Sequence, residues 1–178
     1  MDKKTQFYKN DSFIIPVKIV SVYILWKIFH HFAMIEGASL NFFWKEFSIQ
    51  AGTVYAFITS KFLVLIGQKA YSGGINIYLQ NQKQIWVQDH CLAIPAKVVF
   101  LGSILSFHGK WNEKFMFIVV GLIGIVAINI ARLLFVCLAW IYFPFYFFDM
   151  HHSFIYAAIT YGFIFIMIRW WIIRQVGK

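Results

Sequence analysis

Charge is scarce in this chain, and negative charge scarcest: 178 residues hold seven Asp and Glu against sixteen Lys and Arg. With 61% hydrophobic residues, against about 45–50% in ordinary soluble domains, a water-soluble globule is excluded. Cysteine is nearly absent. Two residues, Cys91 and Cys137, do not make a disulfide framework, and Cys137 falls deep in an apolar run where a free thiol packs as a small hydrophobe. No internal repeat or low-complexity tract breaks the chain. The first apolar stretch is long, aromatic and without a small-residue cleavage site, which excludes a signal peptide and leaves a retained span. Nor is there a basic patch with interleaved aromatics outside the apolar runs, so the net charge of +9 does not point to nucleic acid.

What is present is oil in long runs, with 21% aromatic residues and a mean hydropathy of +0.69. At about 20 residues per helical span, the length predicts an all-α, polytopic integral membrane helix bundle of about four to six transmembrane helices. All 178 residues then form one membrane domain in contact with the lipid bilayer. The first span is expected over 12–34. The stretch 51–66 is short and carries Lys61, a charge that costs roughly 2.5–3.5 kcal/mol at mid-span, so residues 1–68 read as one span plus a weak or re-entrant piece. An outer loop follows at 69–90, where Gly73-Gly74 signals a turn and Ile75, Ile77 and Leu79 alternate with polar residues as in a hairpin. Further spans are expected over 92–107, 115–142 and 153–173, all within residues 91–178.

Lys and Arg in short loops face the cytoplasm. The loop with Lys110 and Lys114, the tail with Arg169, Arg174 and Lys178, and the N-terminal Lys3, Lys4 and Lys9 therefore lie inside. The segment between Pro144 and His152 has neither residue and lies outside. Cys91 begins the span that ends at the basic loop. Arg132 lies roughly 27 Å of helix beyond Lys114, nearly a full hydrocarbon thickness, and His152 opens the last span. A thiol, a guanidinium and an imidazole thus arrive at one outward-facing region. Counting parity also favours a non-crossing 51–66.

Each residue has an ordinary reading and a chemical one. Cys91 packs at a helix end, or becomes a thiolate nucleophile favoured by a helix N-terminus and nearby cations. Arg132 snorkels to headgroups, or donates to an oxyanion formed at an acyl carbon; an intramembrane Arg is a functional-site hypothesis by default. Asn129, one turn earlier on the same face, orients Arg132 or supplies a second donor. His151 and His152 are interfacial residues, or place a general base beside the thiol. No His-Glu-x-x-His spacing occurs, and neither a metal nor a cofactor is expected.

These residues have a familiar order. From about 84 to 171 the chain resembles the exosortase/archaeosortase family: a Cys, then Asn-x-x-Arg in a Gly-rich apolar helix (Gly121, Gly124, Asn129, Arg132), then a His opening the last span. Gly109-Lys110-Trp111, the run from His152 to Tyr156, and Tyr161-Gly162-Phe163 add to the likeness. The resemblance implies a cysteine peptidase or transpeptidase, with Cys91 as nucleophile, Arg132 as transition-state stabiliser and His152 as general base and acid. Its expected partners are membrane-anchored proteins whose C-terminal sorting signal is a short motif, an apolar helix and a basic tail. The expected location is the bacterial plasma (inner) membrane, with the site on the outer face. One departure stands out: the family usually has Gly two residues after the Cys, and this chain has Ala93. The competing expectations are a non-catalytic assembly or export component, and a haem-binding redox protein.

Overall fold

In the computed structural model, residues 3–35, 39–80, 83–107, 109–142 and 152–176 are described. The order is α1 (Lys3–Ala33), α2 (Ser39–Leu65), β1 (Tyr71–Gly73), β2 (Asn76–Tyr78), β3 (Gln84–Trp86), a 3-10 turn (Asp89–Leu92), α3 (Ile94–Ser106), α4 (Trp111–Tyr142) and α5 (His152–Val176). Among the described residues three stretches are long and apolar enough to cross a membrane, namely α2, α4 and Tyr156–Arg174 within α5, with α3 as a shorter apolar helix. The protein is an all-α integral membrane bundle, as its composition predicts.

The polar interruption after α2 folds as expected, with one more strand than a hairpin. The strands pair antiparallel in the order β1-β2-β3, with Ile77 opposite Ile85. Gly74, at φ +59°, turns the chain between β1 and β2, a conformation glycine adopts without a Cβ penalty. Alternation then sorts the side chains: Ile77 and Val87 are buried while Tyr71 and Trp86 are exposed.

The second helix departs from the sequence expectation. It is not confined to 51–66 but is one continuous helix of 27 residues. It is also built inside out: Asn41, Ser48, Gly52, Thr59 and Ser60 are buried, whereas Phe42, Phe43, Phe47, Val54 and Phe57 are exposed. Small and polar residues facing the bundle are the membrane pattern, because lipid tails solvate Phe as well as a core does. Lys61 is exposed, its ammonium 5.3 Å from the centre of the Phe57 ring. Both flanks of α2 meet the sheet-bearing end of the bundle. Trp44 Nε1 donates to Asp89 Oδ2 at 3.1 Å, and Gln68, just past the helix, donates to the Tyr142 hydroxyl at 2.9 Å.

The opposite end is marked by lysines. Lys18 Nζ donates to the Ser106 carbonyl at 3.0 Å and Lys114 Nζ reaches the Leu105 carbonyl at 3.5 Å, closing α1 and α4 on the last turn of α3. Between the ends, α4 is the central post. A methyl at Gly121 would fall inside the Phe100 ring of α3, and one at Gly124 against the Phe163 ring of α5, so the glycines allow both neighbours to pack at close range. Phe100, Phe117, Ile125, Ile164 and Trp171 make one core there. A second core, with Ile77, Val87, Leu92, Leu133 and Cys137, joins the sheet to the upper half of α4.

Candidate active site

Cys91 is placed by the turn that precedes α3 rather than by the helix itself. The expected span from 92 is in fact a 13-residue helix beginning at Ile94, with Pro95 in its first turn. The missing N–H of proline costs nothing there. Ahead of it, the Cys91 N–H donates to the Gln88 carbonyl at 2.7 Å, closing the 3-10 turn. The chain then reverses through Ala93, which at φ 51° and ψ 34° is the one non-glycine residue with positive φ among those described. The sequence departure from glycine therefore sits where the backbone is left-handed, which carries a Cβ clash for any L-residue except glycine.

Cys91 is partly buried, packed against the core that contains Leu133 and Cys137. Asn129, buried in the middle of α4, donates its side-chain amide to the Cys91 carbonyl. One turn further along α4, the Arg132 guanidinium carbon lies 5.7 Å from the ring centre of Tyr156. Phe135 meets the same ring edge-on at 5.9 Å. The Asn-x-x-Arg motif thus joins two things: its Asn holds the Cys91 segment, and its Arg meets the first turns of α5.

His152 is the first residue of α5. Positions 152 and 156 share a helical face, so the expected histidine stands one turn from the tyrosine that Arg132 covers. His151 lies outside the described residues. The structure hence joins Cys91 to Asn129 by a hydrogen bond and, one turn further along α4, sets Arg132 against Tyr156 of α5. Sequence reading did not give Tyr156 a role; its signal was membership of the run that opens with His152.

Two further contacts escaped the sequence. Trp44 of α2 holds Asp89, two residues before Cys91, by the hydrogen bond described above. Lys97, in the first turn of α3, donates to the Tyr55 hydroxyl at 2.9 Å, which gives this cation a fixed partner. Among the described residues no group of three or more His, Cys, Asp or Glu is placed to hold a metal ion.

A helical bundle with three stretches long and apolar enough to cross a membrane, whose α4 carries Asn-x-x-Arg and holds the Cys91 turn, belongs to the class of integral membrane proteins. The model of the transmembrane exosortase family (Exosortase_EpsH) matches residues 17–173, most of the chain, and the protein is a member of that family. No curated protein and no solved structure matches it.

Proposed function

We propose that the protein is a membrane-embedded cysteine peptidase or transpeptidase that removes the C-terminal sorting signal of exported proteins. Cys91 is the nucleophile, Arg132 the stabiliser of the oxyanion and His152 the proton carrier, with Asn129 and His151 in support. The observation that carries this reading is the hydrogen bond from Asn129 to the Cys91 carbonyl, because it fastens the thiol-bearing turn to the helix face that also presents Arg132.

In the proposed cycle His152 takes the Cys91 proton and the thiolate adds to the scissile carbonyl. Arg132 donates to the resulting oxyanion, whose negative charge a fixed guanidinium stabilises strongly in a dry site. Collapse breaks the C–N bond, and the departing amine takes the proton from His152. The thioester left on Cys91 is then attacked by water or an amine, which gives its proton to His152 as the thiolate leaves. The active site faces the outer side of a bacterial plasma membrane, on the side where the segment between Pro144 and His152 holds no Lys or Arg.

The test is processing of a tagged exported protein that ends in an apolar helix and a basic tail. Cys91→Ala and Cys91→Ser abolish processing while the protein still accumulates in the membrane at normal level. Continued processing by either variant sinks the reading.

A further inference from the structure

The turn that carries Cys91 is weakly held by its own chain. The 3-10 turn Asp89–Leu92 has no side-chain cap at its start, and it leaves through Ala93 at positive φ, a conformation that costs roughly 1–2 kcal/mol. Inside the turn the Cys91 N–H is spent on the Gln88 carbonyl, at 2.7 Å. Two hydrogen bonds from neighbouring helices reach it. Asn129 of α4 donates to the Cys91 carbonyl, and Trp44 of α2 donates Nε1–H to Asp89 Oδ2 at 3.1 Å. The thiol-bearing residue is thus bracketed, with α4 fastened to position 91 and α2 to position 89.

The bond from α2 is made by a group that gives direction. An indole N–H is a donor only, and this ring is packed on several sides. Trp26 and His30 of α1 lie with ring centres 5.6 and 5.4 Å from it, and Phe47 of its own helix lies at 6.0 Å. With 21 Phe against seven Trp, the chain fills apolar space mostly with phenylalanine; at position 44 it places the ring that also carries a donor. Lys27 of α1 borders the same cavity as Asp89 and offsets its charge. An ammonium on a flexible four-carbon stem does not fix a geometry, and this one stands 5.8 Å from the Tyr23 ring centre. Charge balance and orientation therefore come from different residues.

Resting on the proposed function, we propose that Trp44 and Asp89 are positioning residues for the reaction: their hydrogen bond holds the Cys91 turn so that the thiol stands at attack distance from the scissile carbonyl. Both act through the backbone of residues 89–91, and neither touches the reacting atoms. A displacement of about 1 Å at a reacting atom costs on the order of 100-fold in rate, so release of one side of the bracket is felt in the chemical step and not in substrate binding.

Variants of the full-length protein in membranes test this on the tagged exported protein above. Trp44→Phe keeps a ring in the aromatic cluster and removes the donor. Asp89→Leu keeps the volume and removes the acceptor, while Asp89→Asn keeps an acceptor oxygen and removes the charge. Per folded molecule, kcat falls roughly 10- to 100-fold in Trp44→Phe and in Asp89→Leu with KM unchanged. The double variant is no worse than either single one, because both remove the same bond. Asp89→Asn stays close to the native kcat. Losses that only follow the amount of folded protein, a rise in KM in place of a fall in kcat, additive losses in the double variant, or an Asp89→Asn chain as poor as Asp89→Leu each overturn the proposal.

A second readout needs no substrate. In a Cys137→Ala background, the rate at which maleimide alkylates Cys91 changes in Trp44→Phe and in Asp89→Leu alike and stays native in Asp89→Asn. Native rates in all three overturn the positioning role. Persistent processing by Cys91→Ala would overturn the nucleophile assignment instead, and the alkylation rates would still decide whether the Trp44–Asp89 bond fixes the thiol.

Discussion

Asn129 of α4 donates its side-chain amide to the backbone carbonyl of Cys91, so the turn that carries the thiol hangs from the middle of the longest helix. Asn129→Leu fills the same space without a donor and leaves a buried carbonyl unpaired, at a cost of about 1–3 kcal/mol. The thermal midpoint in detergent falls, and Cys91 loses its fixed place. Processing then drops by more than the loss of folded protein accounts for, measured as activity per folded molecule.

Ala93 gives a prediction of opposite sign. Its left-handed backbone costs roughly 1–2 kcal/mol for an L-residue, and glycine removes that at an entropic cost of about 0.5–1 kcal/mol. Ala93→Gly therefore stabilises by about 0.5–1 kcal/mol, a rise of a few degrees in thermal midpoint. Ala93→Val, with a branched Cβ at the same φ, lowers it. A thermal shift series over Gly, Ala and Val checks the order.

Gly121 has no spare room. Gly121→Ala drives a methyl into the Phe100 ring and costs about 1–3 kcal/mol by overpacking. Phe100→Leu in the same chain recovers part of the loss, because the two changes act at one contact. The double-mutant cycle reads this coupling directly.

Arg132 lies over the Tyr156 ring, and a planar guanidinium in that place is not reproduced by a lysine ammonium. In the proposed mechanism both Arg132→Lys and Arg132→Ala lose about 100- to 1,000-fold in the processing rate constant. Membrane accumulation of the variants stays normal. A lysine variant with near-native rate would show that charge alone is enough and that the planar donor fork is not used.

Thiol labelling reads the sidedness. Cys91 is partly exposed and Cys137 is fully buried. Membrane-impermeant maleimide added from outside modifies a Cys137→Ala chain and leaves Cys91→Ala unmodified. The reverse pattern, or labelling only after the membrane is opened, would place the site on the other face.

Much of this molecule was legible because hydrophobicity and spacing are local properties. The apolar runs gave α4 and α5 nearly to their ends, and the alternation around Ile77 gave the sheet. The three-residue interval between Asn129 and Arg132 put them on one face before any contact was known. What escaped were features that depend on which way a helix faces. In α2, Ser48, Thr59 and Ser60 depress a hydropathy average although they point inward, and Lys61 depresses it although it points outward beside Phe57. An average cannot tell these cases apart, so a 27-residue helix looked like a short weak one. The Tyr55–Lys97 bond and the Trp44–Asp89 bond escaped for a related reason, since each joins residues more than 40 positions apart. Ala93 was legible only as a departure from a family pattern; the positive φ explains why the departure falls where it does.

The 13 residues of α3 rise about 20 Å, against a hydrocarbon thickness of roughly 30 Å. In the proposed function, a turn fastened to the upper end of so short a strut lies below the level of the headgroups. In the proposed function this makes the protein a depth gauge. The length of the substrate's own apolar helix sets which peptide bond hangs at the level of Cys91, and adding a helical turn to that helix or to α3 moves the cut along the chain instead of merely slowing it.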